Sequence, residues 1–241
     1  MVEAELSASG ATMVKTMPLH IGIVACSAEG AALCYRTICA DPRHHPEVSM
    51  HTHPLSEYMR CINAGDWDGV GELMLISAKK LEAMGADILI CPDNTIHQAL
   101  ARIESRSPLP WFHITDVVAT EAHARGFHRL GLTGTRWLVD SELYPEKLAK
   151  YSIDVVRPNE KEKGEMNRII MEELVRGVFK PSSLAFFQQL ITRFKTAGCD
   201  GVILGCTEIP LIIDDKSSPL PTLDSTRLLA WAALRMAAAA G

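Results

Sequence analysis

Two stretches of this sequence share one grammar. A helical segment closes on Gly85-Ala86-Asp87, enters the aliphatic run DILIC (87–91) and breaks into Pro92-Asp93-Asn94-Thr95; a later one closes on Gly198-Cys199-Asp200, enters GVILG (201–205) and breaks into Cys206-Thr207-Glu208. A helix, a short aliphatic strand and then a polar cluster is the pattern of parallel β/α units, because parallel strands need a long crossover between them. Its repetition implies a duplicated α/β fold. Open α/β sheets bind ligands beyond the carboxyl ends of their strands, so the two polar clusters are expected to face each other across one cleft.

The rest of the chain follows the same alternation. Strands are expected at 19–26, 47–53, 87–91, 111–114, 129–134, 154–157 and 201–205, and helices at 29–40, 67–85, 162–179 and 182–198. In the second helix Val70, Leu73, Leu75, Ala78, Leu81 and Met84 recur close to the helical period, and Gly85 supplies the C-terminal stop. Residues 1–18 read as an unstructured leader, and RMAAAAG at the end as a helix running out.

Composition narrows the function classes. The net charge of −5 and the lack of any long like-charged run argue against a nucleic-acid or membrane-surface partner, which leaves small molecules. No apolar run reaches the roughly 20 residues of a spanning helix, and a cytoplasmic location is expected. The seven cysteines show no CxxC spacing, so neither a disulfide framework nor a zinc clip is expected, and most read as packed thiols. His44, His45, His51 and His53 cluster, with His51 and His53 on one face of a strand, but no carboxylate or cysteine stands in register with them. No metal site is assigned. His53, which closes the strand, is expected to reach the cleft, and the tryptophans to serve packing or subunit contacts.

Opposed ionisable groups suit one kind of chemistry. Breaking and remaking a C–H bond beside a carboxylate needs a base on one face of the carbon and an acid on the other. Asp93 and Cys206 are the candidates, the carboxyl if burial raises its pKa and the thiol if nearby donors hold its thiolate. Asn94, Thr95 and Thr207 are uncharged donors suited to a substrate carboxylate. Each candidate has a plainer reading: Asp93 as the cap of a turn, Cys206 as a small packed hydrophobe.

The chain resembles the aspartate/glutamate racemase family, a cofactor-independent group that also includes hydantoin racemases, maleate isomerases and arylmalonate decarboxylases. The resemblance runs from residue 19 almost to the end. It is carried by IGIVACSAEGAALCYRTI, by PEVSMHTHPLSEYM as the second strand, by GLTGTRWLVDSELYPEKL, by MNRIIMEELVRGVF and above all by LGCTEIPLII. It implies two pseudosymmetric lobes, each a short parallel sheet flanked by helices, with the active site in the cleft between them. The expected division is 19–110 with about 212–241 for one lobe and 111–211 for the other. It also implies a homodimer, no cofactor, and a small-molecule carboxylate substrate.

Residue by residue, Cys206 matches the family's second catalytic cysteine and Thr207 the hydroxyl beside it; Asn94 and Thr95 match its carboxylate binders, and Thr133 and Thr135 its mid-chain loop. Arg176 stands near the family's basic side-chain binder, and His97 fits its Asn-Thr-x-His pattern. The departures are specific. Asp93 occupies the place of the first cysteine, Ala25-Cys26-Ser27 replaces Gly-Gly-Met and makes Ser27 a candidate substrate contact, and Leu229 stands where many relatives carry histidine. The expected function is an isomerase: a racemase exchanging the α-proton of an acidic amino acid through an Asp93/Cys206 pair. The alternatives are a single-cysteine decarboxylase or isomerase of a small diacid, and an inactive small-acid sensor.

Overall fold

The computed structural model describes residues 19–43 and 45–239; the leader at 1–18, His44 and the last two residues lie outside it. Among the described residues eight strands form two all-parallel sheets. The strands are β1 (Ile21–Ala25), β2 (Val48–Thr52), β3 (Ile88–Ile90), β4 (Trp111–Phe112), β5 (Arg129–Thr133), β6 (Asp154–Val156), β7 (Gly201–Leu204) and β8 (Thr222–Asp224). One sheet runs β2-β1-β3-β4 and the other β6-β5-β7-β8, the same order shifted by four strands. The duplication read from the sequence is thus a duplication of topology.

Burial explains which strands are central. β1, β3 and β7 are buried at every residue, as strands covered on both faces must be, whereas β2 at its sheet's edge carries Ser49, His51 and Thr52 and stays partly exposed. The register pairs Ile23 with Ile90 in one sheet and Leu132 with Ile203 in the other.

The helices are α1 (Ala28–Cys39), α2 (Leu55–Ala64), α3 (Trp67–Ala83), α4 (Leu100–Ile103), α5 (Ile114–Ala124), α6 (Arg136–Val139), α7 (Leu143–Ala149), α8 (Glu160–Glu172), α9 (Pro181–Thr196) and α10 (Ser225–Ala239). Among the described residues none is long and apolar enough to cross a membrane. α8 starts at a capping box, in which Glu162 N–H donates to Asn159 and Asn159 N–H donates back to Glu162.

Several elements differ from the sequence expectation. β8 follows Pro221 with three residues and no aliphatic run, and it joins the second sheet; β4, beyond residue 110, pairs with β3 in the first. Sheet membership therefore does not follow a division at 110 and 212. LSEYM, grouped with a second strand, is the start of α2, because Pro54 ends the extended segment. The helix expected over 162–179 begins at Glu160, stops at Glu172 and gives way to a tight turn at Leu174–Arg176 closed by Gly177 with φ +69°.

α10 ties the halves together. It leaves the second sheet at β8, then buries Leu229, Ala230 and Ala233 with Ile21, Ile23 and Ile38 of the first lobe. Leu229, singled out in the sequence as a departure, is wholly inside that core. Polar bonds add to the joint: Asn94 Nδ2 donates to Ser225 Oγ (2.9 Å), Tyr144 O–H donates to Asn94 Oδ1 (2.7 Å), and the Thr95 and Thr135 hydroxyls share a bond of 2.8 Å.

Gly30 in α1 lies so close to the loop after β7 that an added Cβ would come within 2.0 Å of Thr207 Oγ1. Gly30→Ala is expected to destabilise the fold by about 1–3 kcal/mol through overpacking, read as a lower urea midpoint. Gly164→Ala, in α8 with open space around the new methyl, should be neutral or stabilise by up to about 1 kcal/mol.

Candidate functional site

Each sheet reverses its direction of winding at its central strands, since β1 leads outward to β2 and the chain then returns to β3 on the other side. That reversal opens a crevice at the carboxyl ends of β1 and β3, and of β5 and β7 in the second sheet. The loops leaving these four strands carry Cys26 and Ser27, then Asp93, Asn94 and Thr95, then Thr135, then Gly205, Cys206 and Glu208. All of them line one cavity, with about 460 Å³ of atom-free space including its mouth.

Asp93 has two roles open to it. Its Oδ1 accepts from Ile96 N–H (3.1 Å), which is the turn-capping bond its sequence context suggested. The carboxyl also faces the cavity. The residue keeps some open surface but is crowded by protein, and the resulting desolvation raises its pKa from an ordinary 3.8 to about 6. The Ile96 N–H opposes the rise, the Glu208 charge adds to it, and the Cys26 thiol and Thr95 N–H pull it down.

Cys206 sits opposite in topology, at the end of β7. Burial, and then the charge of Glu208, raise its thiol well above the ordinary value, with the Glu208 N–H and Asp93 as smaller influences downward and upward. The thiol donates to Glu208 Oε2 at 2.8 Å. Cys26, buried beside Asp93, is raised by burial and by that carboxyl. Near neutral pH the cavity therefore holds an ionised Asp93 and protonated thiols.

Glu208 is the principal residue that sequence reasoning passed over. Only 2% exposed, it accepts from the Ser27 hydroxyl on Oε1 and from Cys206 Sγ and Thr207 Oγ1 (3.2 Å) on Oε2. It thereby links the β1 loop of one lobe to the thiol of the other. Its signal was an acid two places after a strand-end cysteine. Trp137, expected to pack or to meet another subunit, lines the cavity as well. So do Leu55, Met59 and Ile62 of α2, the first two from the stretch grouped with the second strand.

Other expected residues fall outside the cavity wall. Thr133 is fully buried and its hydroxyl donates to Ile203 O (2.7 Å), joining β5 to β7. Thr207 is turned into the Gly30 contact and bonds to Glu208. Arg176 is exposed on its turn and does not line the cavity. His53 lines an adjoining depression with Met50 and Thr52 instead. Asn94 lines the cavity, but its amide is engaged at both ends by Ser225 and Tyr144. His97 lies beneath the loop, where Nε2–H donates to Cys91 O (3.0 Å) and fixes the approach to Asp93.

No group of three or more His, Cys, Asp or Glu side chains among the described residues is placed to hold a metal ion. His51, the expected partner of His53, is bonded to Ser77 and Lys80. Among the described residues, none lining the cavity is Lys, Arg or His.

Comparison with known proteins adds a family. Residues 25–233 match the family model described as Asp/Glu/Hydantoin racemase. The broad-specificity amino-acid racemase RacX of Bacillus subtilis (strain 168) is 23% identical over 168 residues, 68% of this chain and 71% of RacX. Among solved structures, an aspartate racemase homologue from Pyrococcus horikoshii OT3 superposes with a TM-score of 0.77 at 28% identity, covering 91% of this chain and 99% of the other. A provisionally assigned Asp/Glu racemase from Yersinia pestis gives 0.80 at 28% identity, with the same coverages.

The Asp93 environment makes a stability prediction. Its folded-state pKa of about 6 lies above the ordinary 3.8, so between these values the folded chain binds more protons than the unfolded one and stability falls as pH rises. The loss is complete above pH 6 and, allowing for water in the cavity, amounts to about 2 kcal/mol. Asp93→Asn keeps an acceptor for Ile96 N–H and removes the charge. Its melting temperature should exceed that of the parent at pH 8, and the gap should close towards pH 4.

Proposed function

The chain belongs to the Asp/Glu/Hydantoin racemase family, and from that premise we propose that it is a cofactor-independent amino-acid racemase in which Asp93 and Cys206 exchange the α-proton. The observation that carries this reading is that a carboxyl raised to about 6 and a protonated thiol leave equivalent strands of the two sheets, β3 and β7, and line one cavity. A base with a pKa near 6 is ionised at neutral pH and stronger than an ordinary carboxylate.

The reaction takes the α-proton onto the Asp93 carboxylate from one face and returns the Cys206 S–H proton to the carbon from the other. Asp93 ends protonated and Cys206 ends as a thiolate, held by the Glu208 N–H. That pair is the starting state for the opposite enantiomer. The Thr95 and Thr135 hydroxyls, one from each lobe, bond to each other at the wall, and the one whose proton is not used in that bond is the donor to the substrate carboxylate and its enolate charge. Glu208, accepting from the thiol, orients it and resists loss of its proton before substrate binds.

The acidic substrate was expected from the family resemblance, with Arg176 as the candidate binder of its side chain. That guanidinium lies away from the cavity, so the proposal covers α-carbon chemistry and not an acidic substrate.

Cys206→Ala and Asp93→Asn should each lower racemisation by at least ~100-fold while remaining folded. The assay is loss of the α-proton signal in deuterated water together with chiral chromatography. Deuterium uptake without the opposite enantiomer would overturn the two-base assignment. For the parent, kcat/KM should fall about tenfold per pH unit below pH 6, as Asp93 gains a proton.

A further inference from the structure

We infer that the substrate is an amino acid with an uncharged, apolar side chain, and that the cavity discriminates against aspartate and glutamate. The inference rests on the racemase reading and concerns the part of the cavity that the α-carbon chemistry leaves unused.

The polar lining is confined to the four strand-end loops. Beyond them α2 presents Leu55, Met59 and Ile62, and the end of α8 with its following turn presents Ile170, Met171 and Val175. Trp137 completes this wall, its main-chain oxygen held by Gln98 Nε2–H (3.2 Å). A side chain leaving the α-carbon towards this wall meets methyl, methylene, thioether and indole groups. Transfer of apolar surface into such a place is favourable, while a carboxylate buried there without a partner is strongly disfavoured.

Electrostatics point the same way. Among the described residues the ionisable groups on the wall are Asp93, Glu208, Cys26 and Cys206, with no Lys, Arg or His. The α-ammonium of a zwitterionic substrate is attracted to the two carboxyl groups, and its carboxylate has the one hydroxyl proton that Thr95 and Thr135 do not use between themselves. A second carboxylate finds only like charge. A cationic side chain would escape that repulsion but would still be desolvated against the apolar wall. An uncharged apolar chain satisfies both conditions. Met171 is partly exposed at this wall, so it marks a place where a cation can be added without burying one in the core.

The test compares α-proton exchange and chiral inversion of L-leucine, L-methionine and L-phenylalanine with L-aspartate and L-glutamate, on the parent, Met171→Arg and Cys206→Ala. The parent should show kcat/KM at least ~10-fold higher for the best apolar substrate than for either acidic one. Met171→Arg should shift that ratio at least ~10-fold towards the acids. Faster exchange of aspartate or glutamate by the parent, abolished in Cys206→Ala, would overturn the apolar assignment and leave the racemase reading standing. Absence of exchange from every substrate by a folded parent would sink the racemase reading and this inference with it. The parent's substrate ratio decides the matter even if Met171→Arg does not fold.

Discussion

The structure depends on the parallel pairing of strands whose order reverses at the middle of each sheet. β1 and β3 lie side by side, yet their following segments leave in opposite directions, and the same holds for β5 and β7. Backbone hydrogen bonding fixes those strands to within one residue of register, because a slip of one would turn every side chain to the other face. The loops at their carboxyl ends inherit that precision. The Ile23–Ile90 and Leu132–Ile203 pairings set Asp93 and Cys206 each within its own lobe, and α10 with the Asn94–Ser225 bond holds the two lobes together.

Holding two acids in one cavity works against folding. Asp93 is raised by burial and further by Glu208, and nothing cationic in the lining relieves either. What Glu208 has instead is hydrogen bonding, with Ser27, Cys206 and Thr207 all donating to it. Charge-assisted bonds of this kind are the usual compensation for a buried carboxylate. The strain falls on Asp93, whose burial outweighs the Ile96 N–H, Cys26 thiol and Thr95 N–H that favour its charge, and a destabilised carboxylate is a better base. Stability and chemistry are thus traded within the same pair of side chains.

The repeat of aliphatic run and polar cluster made β3, β7, Asp93 and Cys206 legible, since a short-range pattern encodes both the strand and the residue at its end. β8 was not legible: Thr222-Leu223-Asp224 has one aliphatic residue and takes its strand character from pairing with β7. Leu55, Met59 and Ile62 recur at helical spacing, but Leu55 and Met59 stand in a stretch grouped with the preceding polar strand, which Pro54 ends. Thr133 and Arg176 show a different limit. Both are the right residue types at nearly the right place, and only the direction of the side chain separates a cavity contact from a sheet tie or a solvent-facing cation. Glu208 was visible as a letter; its burial and its link to Ser27, remote in sequence, exist only in three dimensions.

An aspartate opposite a cysteine makes the proposed proton exchange asymmetric, and thermodynamics limits how that asymmetry can appear. At neutral pH the resting state is Asp93 carboxylate with Cys206 thiol, which is ready for one enantiomer only. The mirror-image substrate needs the thiolate and the protonated carboxyl, a state disfavoured by the burial of Cys206 and by the charge of Glu208. Yet enantiomers have equal free energy in water, so the equilibrium constant is one and kcat/KM must be the same in both directions. The asymmetry is therefore forced into kcat and KM separately. The enantiomer served by the resting state meets nearly all of the enzyme, whereas its mirror image meets the small fraction in the alternative protonation state and must be compensated by faster reaction from it. Replacing the first thiol by a carboxyl changes the two half-reactions without being able to favour either product.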